Sequence, residues 1–412
     1  MLAPLRSGAF ATLFGGYAVS ALGDGMALVA VSWLAVVLAG GHDAAILVGA
    51  AVAAYTLPGV AGWLVLGRRL AHWDPRRLVL AEAALRAVCL GAIALLSTLG
   101  VLTPGLYVGL LAVSSLFGLL GVSGELAAVV ELLPAAEQLA GNSLVTLASF
   151  AATVAGPALA GGLITLDGPG LALGADAASF AVLVAAAAAS RRLRPPPVTP
   201  AGAVQGPRGA LRSLTRQPSV LAATALCVVF FGVYGPVEVA LPVYVSSVLH
   251  AGAGTLGGYW TLFSAGAVAG ALGASQVERL GIWRVMIAVV AGWGACLVPF
   301  GFTDSTLGGF VALGVGGLVY GPFLPLKNAL IQRAGPAGSI SALAAASAAF
   351  TVPAAPIGTA LGGPLVAALG PQRTLLASGL TTIGAAGVAA VLLLTCRRRH
   401  NAADEAPATV RP

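Results

Sequence analysis

Long apolar stretches alternate with short polar gaps along nearly the whole chain. A transmembrane helix needs about 20 apolar residues, and twelve stretches reach or approach that length. The strict alternation of a membrane β-barrel is absent, and helices satisfy their own backbone groups in lipid. The pattern therefore predicts an all-α integral membrane protein with twelve transmembrane helices. The predicted limits are 9–38, 44–66, 78–99, 104–130, 139–166, 170–190, 219–248, 254–276, 284–303, 307–332, 339–367 and 373–396.

The composition excludes several classes of protein. Hydrophobic residues make up 58% of the chain and charged residues only 8%, against about a quarter charged in soluble domains. A soluble enzyme, a nucleic-acid-binding protein and a disordered chain are therefore excluded. The four cysteines are scattered singly, so we predict neither a disulfide framework nor a zinc site. No ATP-binding motif or catalytic cluster is present, which predicts a non-enzyme without cofactors or metals.

The basic residues predict the orientation of the chain. If both termini lie in the cytoplasm, 18 of the 21 basic residues fall on the cytoplasmic side. The opposite side holds only Arg373, and Arg86 and Lys327 lie within predicted helices. Basic residues accumulate in cytoplasmic loops. We therefore expect a multi-pass protein of the inner (plasma) membrane with both termini in the cytoplasm.

The chain divides into two similar halves. The longest polar interval carries a run of three prolines after Arg194 and predicts a cytoplasmic linker. Pro134 and Pro336 are 202 residues apart, and paired glycines recur at an offset of 201, which indicates a weak internal repeat. The predicted parts are an N-terminal six-helix half (1–190), the linker (191–217), a C-terminal six-helix half (218–396) and a cytoplasmic tail (397–412).

Several motifs in order carry a resemblance to a known family. They are Ala21-Leu-Gly-Asp24-Gly-Met-Ala-Leu-Val-Ala30, Leu80-Ala-Glu82-Ala-Ala-Leu-Arg86, Leu133-Pro134-Ala-Ala-Glu137, Asn142-Ser143, Gly156-Pro157-Ala-Leu-Ala-Gly161-Gly162 and Ala175-Asp176-Ala-Ala-Ser179-Phe180. With these, residues 8 to 396 resemble the major facilitator superfamily, and most of all its branch of enterobactin exporters and macrolide-efflux proteins. The resemblance implies secondary active transport by alternating access, with the first, fourth, seventh and tenth helices lining a central cavity.

The loop after the second helix departs from the family pattern. The family normally has Gly-x-x-x-Asp-Arg-x-Gly/Asp-Arg-Arg, whereas this chain has Ala71 and His72 in place of the acid and the arginine. Four residues of the motif remain, namely Gly67, Asp74, Arg76 and Arg77. Either they form a latch on the cytoplasmic side through Asp74, or the arginines only set the topology.

The fifth helix resembles the antiporter motif of drug exporters. Gly156, Pro157, Gly161 and Gly162 are present, but Ala160 replaces the first glycine of the family's pair. Proline removes a backbone donor and kinks a helix, and small residues let helices approach closely. The segment is therefore either a bend that seals an exporter against proton leak or ordinary close packing.

Charged residues inside the membrane are costly, so each is a candidate for function. Proton coupling requires a carboxylate in a cavity of low dielectric, where desolvation favours its protonated form. Asp24 in the first helix is the first candidate for proton coupling or substrate contact, with helix packing as the alternative. Glu238, between Pro236 and Pro242 of the seventh helix, is the second candidate, with a hydrated position at the outer interface as the alternative.

Other charged residues have predicted partners. Glu125 and Lys327 each lie nine residues before a proline that follows their helix. They are predicted to form an inner gate when the cytoplasmic side closes, or else to extend separately to the inner surface. Glu82 and Arg86 are four residues apart on one helix and are predicted to neutralise each other. Asp176 is predicted to make a structural polar contact, with a position facing the cavity as the alternative.

The substrate class follows from the predicted cavity. Aromatic side chains are its candidate walls: Tyr17, Trp33, Tyr55, Phe150, Phe230, Phe231, Tyr234, Tyr244 and Trp260. The alternative for the tryptophans and tyrosines near helix ends is that they are anchors at the membrane interface. An apolar cavity suits a lipophilic or amphipathic small molecule. Together with the resemblance to exporters, this implies a monomeric proton-coupled exporter of such molecules, whose partners are the substrate, protons and the lipid bilayer, without nucleic acid. The alternative is a proton-linked uptake permease for a small solute.

Overall fold

The computed structural model describes residues 3–40, 43–70, 73–189, 207–334 and 337–404. These residues contain helices and no strands. In the N-terminal half the helices are α1 (Gly8–Ala39), α2 (Ala44–Leu70), α3 (Pro75–Thr98), α4 (Pro104–Ser114), α5 (Gly118–Leu132) and α6 (Ala135–Ala189). The remainder are α7 (Pro207–Thr215), α8 (Pro218–Ser247), α9 (Ala253–Leu272), α10 (Ala274–Glu278), α11 (Ile282–Leu297), α12 (Thr306–Tyr320), α13 (Phe323–Arg333), α14 (Ala337–Thr351), α15 (Ala354–Leu369) and α16 (Pro371–Asp404).

The helices account for the twelve predicted membrane crossings. Within the described ranges, ten helical stretches are long and apolar enough to cross a membrane. One of them, the 55-residue α6, contains two crossings, and α9, which is not among the ten, supplies another. Three crossings are each built from two consecutive helices: α4 with α5, α12 with α13 and α14 with α15. The prediction of an all-α membrane protein is confirmed.

The break in α6 lies where the sequence predicts the gap between the fifth and sixth crossings. Asp167 and Gly168 have non-helical backbone angles, and Gly168 has a φ of +78°. Glycine adopts positive φ without the steric cost of a Cβ. Pro169 then starts the second part of α6, because proline fits the first turn of a helix.

Matching glycine contacts relate the two halves. In the N-terminal half, a Cβ on Gly156 of α6 would lie 2.5 Å from the Cα of Gly25 in α1. In the C-terminal half, a Cβ on Gly235 of α8 would lie 2.4 Å from the carbonyl carbon of Gly358 in α15. Both are backbone-to-backbone contacts that only glycine permits at this spacing. The same helix crossing therefore occurs in both halves.

A second pair of crossings joins the halves to each other. A Cβ on Gly161 of α6 would lie 3.1 Å from the Cα of Gly254 in α9. A Cβ on Gly49 of α2 would lie 2.8 Å from the Cα of Gly363 in α15. All four glycines lie toward the membrane side opposite the described ends Ala3 and Asp404. On the other side, α5 and α13 do not share a substantial interface within the described residues.

The predicted linker contains a helix. Residues 190–206 lie outside the described residues, but 207–215 form α7, which packs against α8 and α14 with Ala210 and Leu214 buried. At the other end of the C-terminal half, α16 continues to Asp404, past the predicted end of the last crossing at residue 396. The predicted limit at 217/218 falls between α7 and α8, whereas the predicted limit at 396/397 runs through α16.

Candidate functional site

A cavity of about 350 Å³ opens on the N-terminal half, between α1, α3, α5 and α6. Its wall is more polar than the sequence predicts. Fifteen residues line it: Tyr17, Ser20, Ala21, Asp24, Gly25, Leu28, Glu82, Arg86, Gly118, Val122, Glu125, Ser149, Ala152, Thr153 and Phe180. Four of these have ionisable side chains of the acidic or basic type, namely Asp24, Glu82, Arg86 and Glu125, a high share for a surface enclosed by transmembrane helices.

Asp24 and Arg86 form an ion pair at the centre of this wall. The Nη1 of Arg86 donates to Oδ1 of Asp24, and the Tyr55 hydroxyl donates to the same oxygen over 3.3 Å. The Asp24 side chain is 50% exposed, whereas that of Arg86 is only 12% exposed. The carboxylate therefore faces the cavity, and the guanidinium holds it from behind.

The arginine is fixed on three further sides. Its Nε lies 2.8 Å from Oε1 of Glu82, which confirms the predicted pair on α3. Its guanidinium carbon lies 5.3 Å from the ring centre of Tyr55 and 5.0 Å from that of Phe180. Cations are attracted to aromatic faces at such distances. A charged group buried in this way needs its partners, so the position of Arg86 depends on the charge state of both carboxylates.

The second candidate, Glu238, lies in a different environment. It is partly buried on α8, and its Oε2 accepts a hydrogen bond of 2.9 Å from the Thr359 hydroxyl of α15. Thr359 follows Gly358, so the crossing of α8 and α15 brings this hydroxyl to the carboxylate. Aligning the repeat through Gly25 and Gly235 places Tyr234, rather than Glu238, at the position of Asp24. The two carboxylates are therefore not equivalent in the repeat.

Glu125 and Lys327 are not paired in this structure. Glu125 is partly buried and lines the cavity on α5. Lys327 on α13 is buried, and its Nζ donates to the Thr351 hydroxyl at the end of α14 over 3.4 Å. The ion pairs among the described residues are Arg86 with Asp24, Arg86 with Glu82, and Arg333 with Glu278. The two predicted gate residues thus lie on helices, α5 and α13, that share no substantial interface within the described residues.

The loop motif ties α3 to the end of α6. Asp74 caps α3, because its Oδ1 accepts a hydrogen bond of 2.9 Å from the backbone N–H of Arg76. The guanidinium of Arg76 donates to the backbone carbonyls of Ala187 (2.6 Å) and Ala188 (2.5 Å). Arg77 is exposed, and a Cβ on Gly67 would contact only Trp63, at 3.9 Å. Ala71 and His72 lie outside the described residues.

The antiporter-like segment touches both α1 and the opposite half. Gly156 contacts α1 next to Asp24, and Pro157 and Gly161 contact α9. The carbonyl oxygen of Pro157 would lie 2.4 Å from a Cβ on Gly257 of α9. A Cβ added to Gly162 would have no atom within 4 Å, so packing does not require a glycine at this position.

Several aromatic residues expected in the cavity wall are instead buried. Tyr17 does line the cavity and exchanges a 2.6 Å hydrogen bond with Ser149. Phe230, Tyr244 and Trp260 are almost completely buried within the C-terminal half. Phe230 packs against Phe323 with ring centres 4.8 Å apart. The aromatic residues of that half form a packed core beneath its surface.

Comparison with known proteins agrees with this architecture. The family model described as "Major Facilitator Superfamily" matches residues 13–356. The chain belongs to the major facilitator superfamily. Membership in this superfamily makes it a multi-pass membrane transporter of small solutes and not an enzyme.

Individual members of the superfamily resemble the whole chain. The multidrug efflux pump Tap of Mycolicibacterium fortuitum is 27% identical over 389 residues, which cover 90% of this chain and 92% of Tap. An inward-facing, occupied bacterial homologue of the human lysosomal transporter Spinster has a TM-score of 0.71 at 10% identity, over 94% of this chain and 97% of that one. A D-xylose–proton symporter has a TM-score of 0.68 at 14% identity, over 92% and 96%. At these identities the two solved structures show the fold alone.

The described residues hold no group of three or more His, Cys, Asp or Glu side chains that could bind a metal ion. The chemistry that the cavity offers is therefore that of carboxylates, one guanidinium and hydroxyl groups. These groups can bind protons, cations and hydrogen-bonding solutes.

Proposed function

We propose that this protein is a proton-coupled exporter of lipophilic or amphipathic small molecules. It works as a monomer in the inner membrane, with both termini in the cytoplasm, by alternating access between its halves. The observation that carries the proposal is the Asp24–Arg86 pair: a half-exposed carboxylate in the cavity of the N-terminal half, held by a buried cation. Such a carboxylate accepts either a proton or a cationic group of the substrate, and the two exclude each other.

A single carboxylate that binds either a proton or a substrate cation, but not both at once, is sufficient for antiport. A proton on Asp24 removes the charge that holds Arg86, whereas a bound cation replaces Arg86 as the partner of that charge. Ser149, Thr153 and Tyr17 offer hydrogen bonds nearby, and Leu28 and Phe180 offer apolar surface. This combination suits an amphipathic molecule with one polar or cationic end. The similarity to a multidrug efflux pump over nine-tenths of the chain supports export.

Glu238 is the second coupling carboxylate in this proposal. Its bond to Thr359 links α8 to α15, and α15 also contacts α2 of the other half through Gly363 and Gly49. Protonation of Glu238 would change a contact on the helix that joins the halves. Its effect on transport therefore operates through the crossing of α8 with α15.

Glu125 and Lys327 form the inner gate in this proposal. When the halves close on the side of α5 and α13, the two opposite charges approach, and their attraction in a medium of low dielectric stabilises the closed state. In the arrangement of this structure, where the two charges are not paired, the Nζ of Lys327 donates to the Thr351 hydroxyl instead.

The alternative of a proton-linked uptake permease is favoured by two observations. The fold is shared with a D-xylose–proton symporter, and the cavity wall carries many polar side chains. A sugar or another polar solute needs such hydrogen-bonding partners. Export is preferred because the similarity to the efflux pump lies in the sequence and extends over 90% of this chain, whereas the likeness to the symporter lies in the fold.

Transport into everted membrane vesicles tests the proposal. With an acidic interior, an exporter that exchanges protons should accumulate tetraphenylphosphonium or ethidium, and nigericin should abolish the accumulation. Asp24→Asn should lose it, whereas Asp304→Asn, at an exposed aspartate, should keep it. Full accumulation by Asp24→Asn would remove Asp24 from the mechanism. Proton-driven uptake of a pentose into right-side-out vesicles, without accumulation of either cation in everted ones, would establish the alternative.

A further inference from the structure

Asp176, on the second part of α6, is completely buried and its carboxyl group lacks a partner. Its exposed fraction is 0%, and neither Oδ1 nor Oδ2 has a hydrogen-bond partner among the described residues. The Ser179 hydroxyl lies beside this carboxyl but donates over 2.7 Å to the backbone carbonyl of Asp176. The sequence predicts either a structural polar contact or a position facing the cavity for this side chain, and the structure places its carboxyl in the buried interior beside Ser179.

A glycine in α1 makes room for this carboxyl. A Cβ on Gly23 would lie 2.3 Å from Oδ1 of Asp176 and 2.1 Å from the Ser179 hydroxyl oxygen. Any other residue at this position would displace the carboxyl or separate the helices. The carboxyl of Asp176 therefore lies directly against the backbone of the residue before Asp24.

The charges around Asp176 do not balance. The charged groups that act on it are Asp24 from α1 and both Arg86 and Glu82 from α3, and the Tyr55 hydroxyl of α2 belongs to the same cluster. One guanidinium thus faces three carboxyl groups. Arg86 is already paired with Asp24 and Glu82. An ionised carboxylate that is buried without a donor or a cation is strongly unfavourable.

We propose that Asp176 is a proton-binding site whose occupancy is set by Arg86. In this conformation its carboxyl group is protonated and neutral. When a proton or a substrate cation takes the charge of Asp24, Arg86 is released and pairs with Asp176. The O–H bond of Asp176 then breaks, the proton passes to cavity water, and the guanidinium keeps its charge while exchanging partners. The role in transport rests on the proposed function, whereas the protonation of Asp176 does not.

Infrared spectroscopy of the purified protein tests the protonation directly. Aspartate labelled with carbon-13 at the side-chain carboxyl shifts the band of protonated aspartic acid away from that of glutamic acid. At neutral pH the wild type should show a labelled band of a protonated buried carboxyl, and Asp176→Asn should lack it. Asp24→Asn should also lose it, because Arg86 is then free to pair with Asp176. The absence of the band from the wild type, or its persistence unchanged in Asp24→Asn, would overturn the proposal.

The infrared comparison of labelled wild type with Asp24→Asn tests the protonation of Asp176 even if the variant Asp176→Asn fails to reach the membrane. Where it does reach the membrane, Asp176→Asn should lose at least tenfold in proton-driven accumulation and retain exchange of labelled probe without a gradient. Ser179→Ala, which alters the same contact without a titratable group, should keep both. Undiminished proton-driven accumulation in Asp176→Asn would exclude its role in coupling. If the wild type transports no probe at all, the proposed function fails while the infrared result stands.

Discussion

Alanine at Gly156 is the most specific perturbation of the crossing between α1 and α6. The added Cβ would lie 2.5 Å from the Cα and carbonyl carbon of Gly25 and 2.8 Å from the nitrogen of Met26. Ordinary contacts of a Cβ start at about 3.4 Å, so the two backbones must separate by roughly 1 Å. Both neighbours are backbone atoms, which cannot move aside as a flexible side chain can. The shift occurs next to Asp24.

The size of the effect follows from a matched control on the same helix. Gly162→Ala adds the same methyl group where nothing lies within 4 Å. Each variant gains about 1 kcal/mol from the better helix propensity of alanine, so this gain cancels in the comparison. Overpacking costs about 1–3 kcal/mol. Gly156→Ala should therefore be less stable than Gly162→Ala by about 1–3 kcal/mol.

Unfolding by sodium dodecyl sulfate in mixed micelles measures this difference, with both variants purified alongside the wild type. Proton-driven accumulation in everted vesicles should fall in Gly156→Ala and stay near the wild-type level in Gly162→Ala. Equal free energies of unfolding for the two variants would refute the reasoning, because the close approach of α1 and α6 would then impose no constraint.

Three further predictions concern other contacts. Arg76→Ala should lower the free energy of unfolding by about 1–3 kcal/mol, because the carbonyls of Ala187 and Ala188 at the end of α6 lose a charged donor. The control Arg77→Ala, at the exposed neighbouring position, should change the free energy of unfolding by less than about 0.5 kcal/mol. Cysteines at Glu125 and Lys327, in a chain without native cysteines, should crosslink more when substrate closes the inner side; equal crosslinking with and without substrate would contradict gating. Glu238→Gln should reduce proton-driven transport while leaving protein abundance unchanged, and vesicle uptake normalised to immunoblots measures this.

The sequence was sufficient for features that depend on local pattern. The number of crossings and the gap at Asp167 and Gly168 follow from apolar length and from glycine and proline positions; the helices are compatible with the number, and the structure shows the gap. The pairing of Glu82 with Arg86 follows from their spacing of four residues on a helix. These features involve residues that are close in the chain.

Contacts between distant residues were not accessible in the same way. Arg86 and Asp24 are 62 residues apart, and their pairing depends on how α1 and α3 pack. The sequence does carry a partial signal for this pairing. An arginine inside a membrane helix needs anionic partners, so Arg86 indicates that carboxylates other than Glu82 also lie close to it. Composition likewise could not distinguish cavity walls from buried core, so Phe230 and Trp260 were assigned to the wrong surface.

The central claim is that protons and substrate move in opposite directions through competition for Asp24. Proteoliposomes that contain the purified protein and an entrapped pH indicator test it directly. An outward gradient of tetraphenylphosphonium should drive protons inward in the wild type and not in Asp24→Asn. Proton movement in the same direction as the substrate, or substrate movement without protons, would contradict the account.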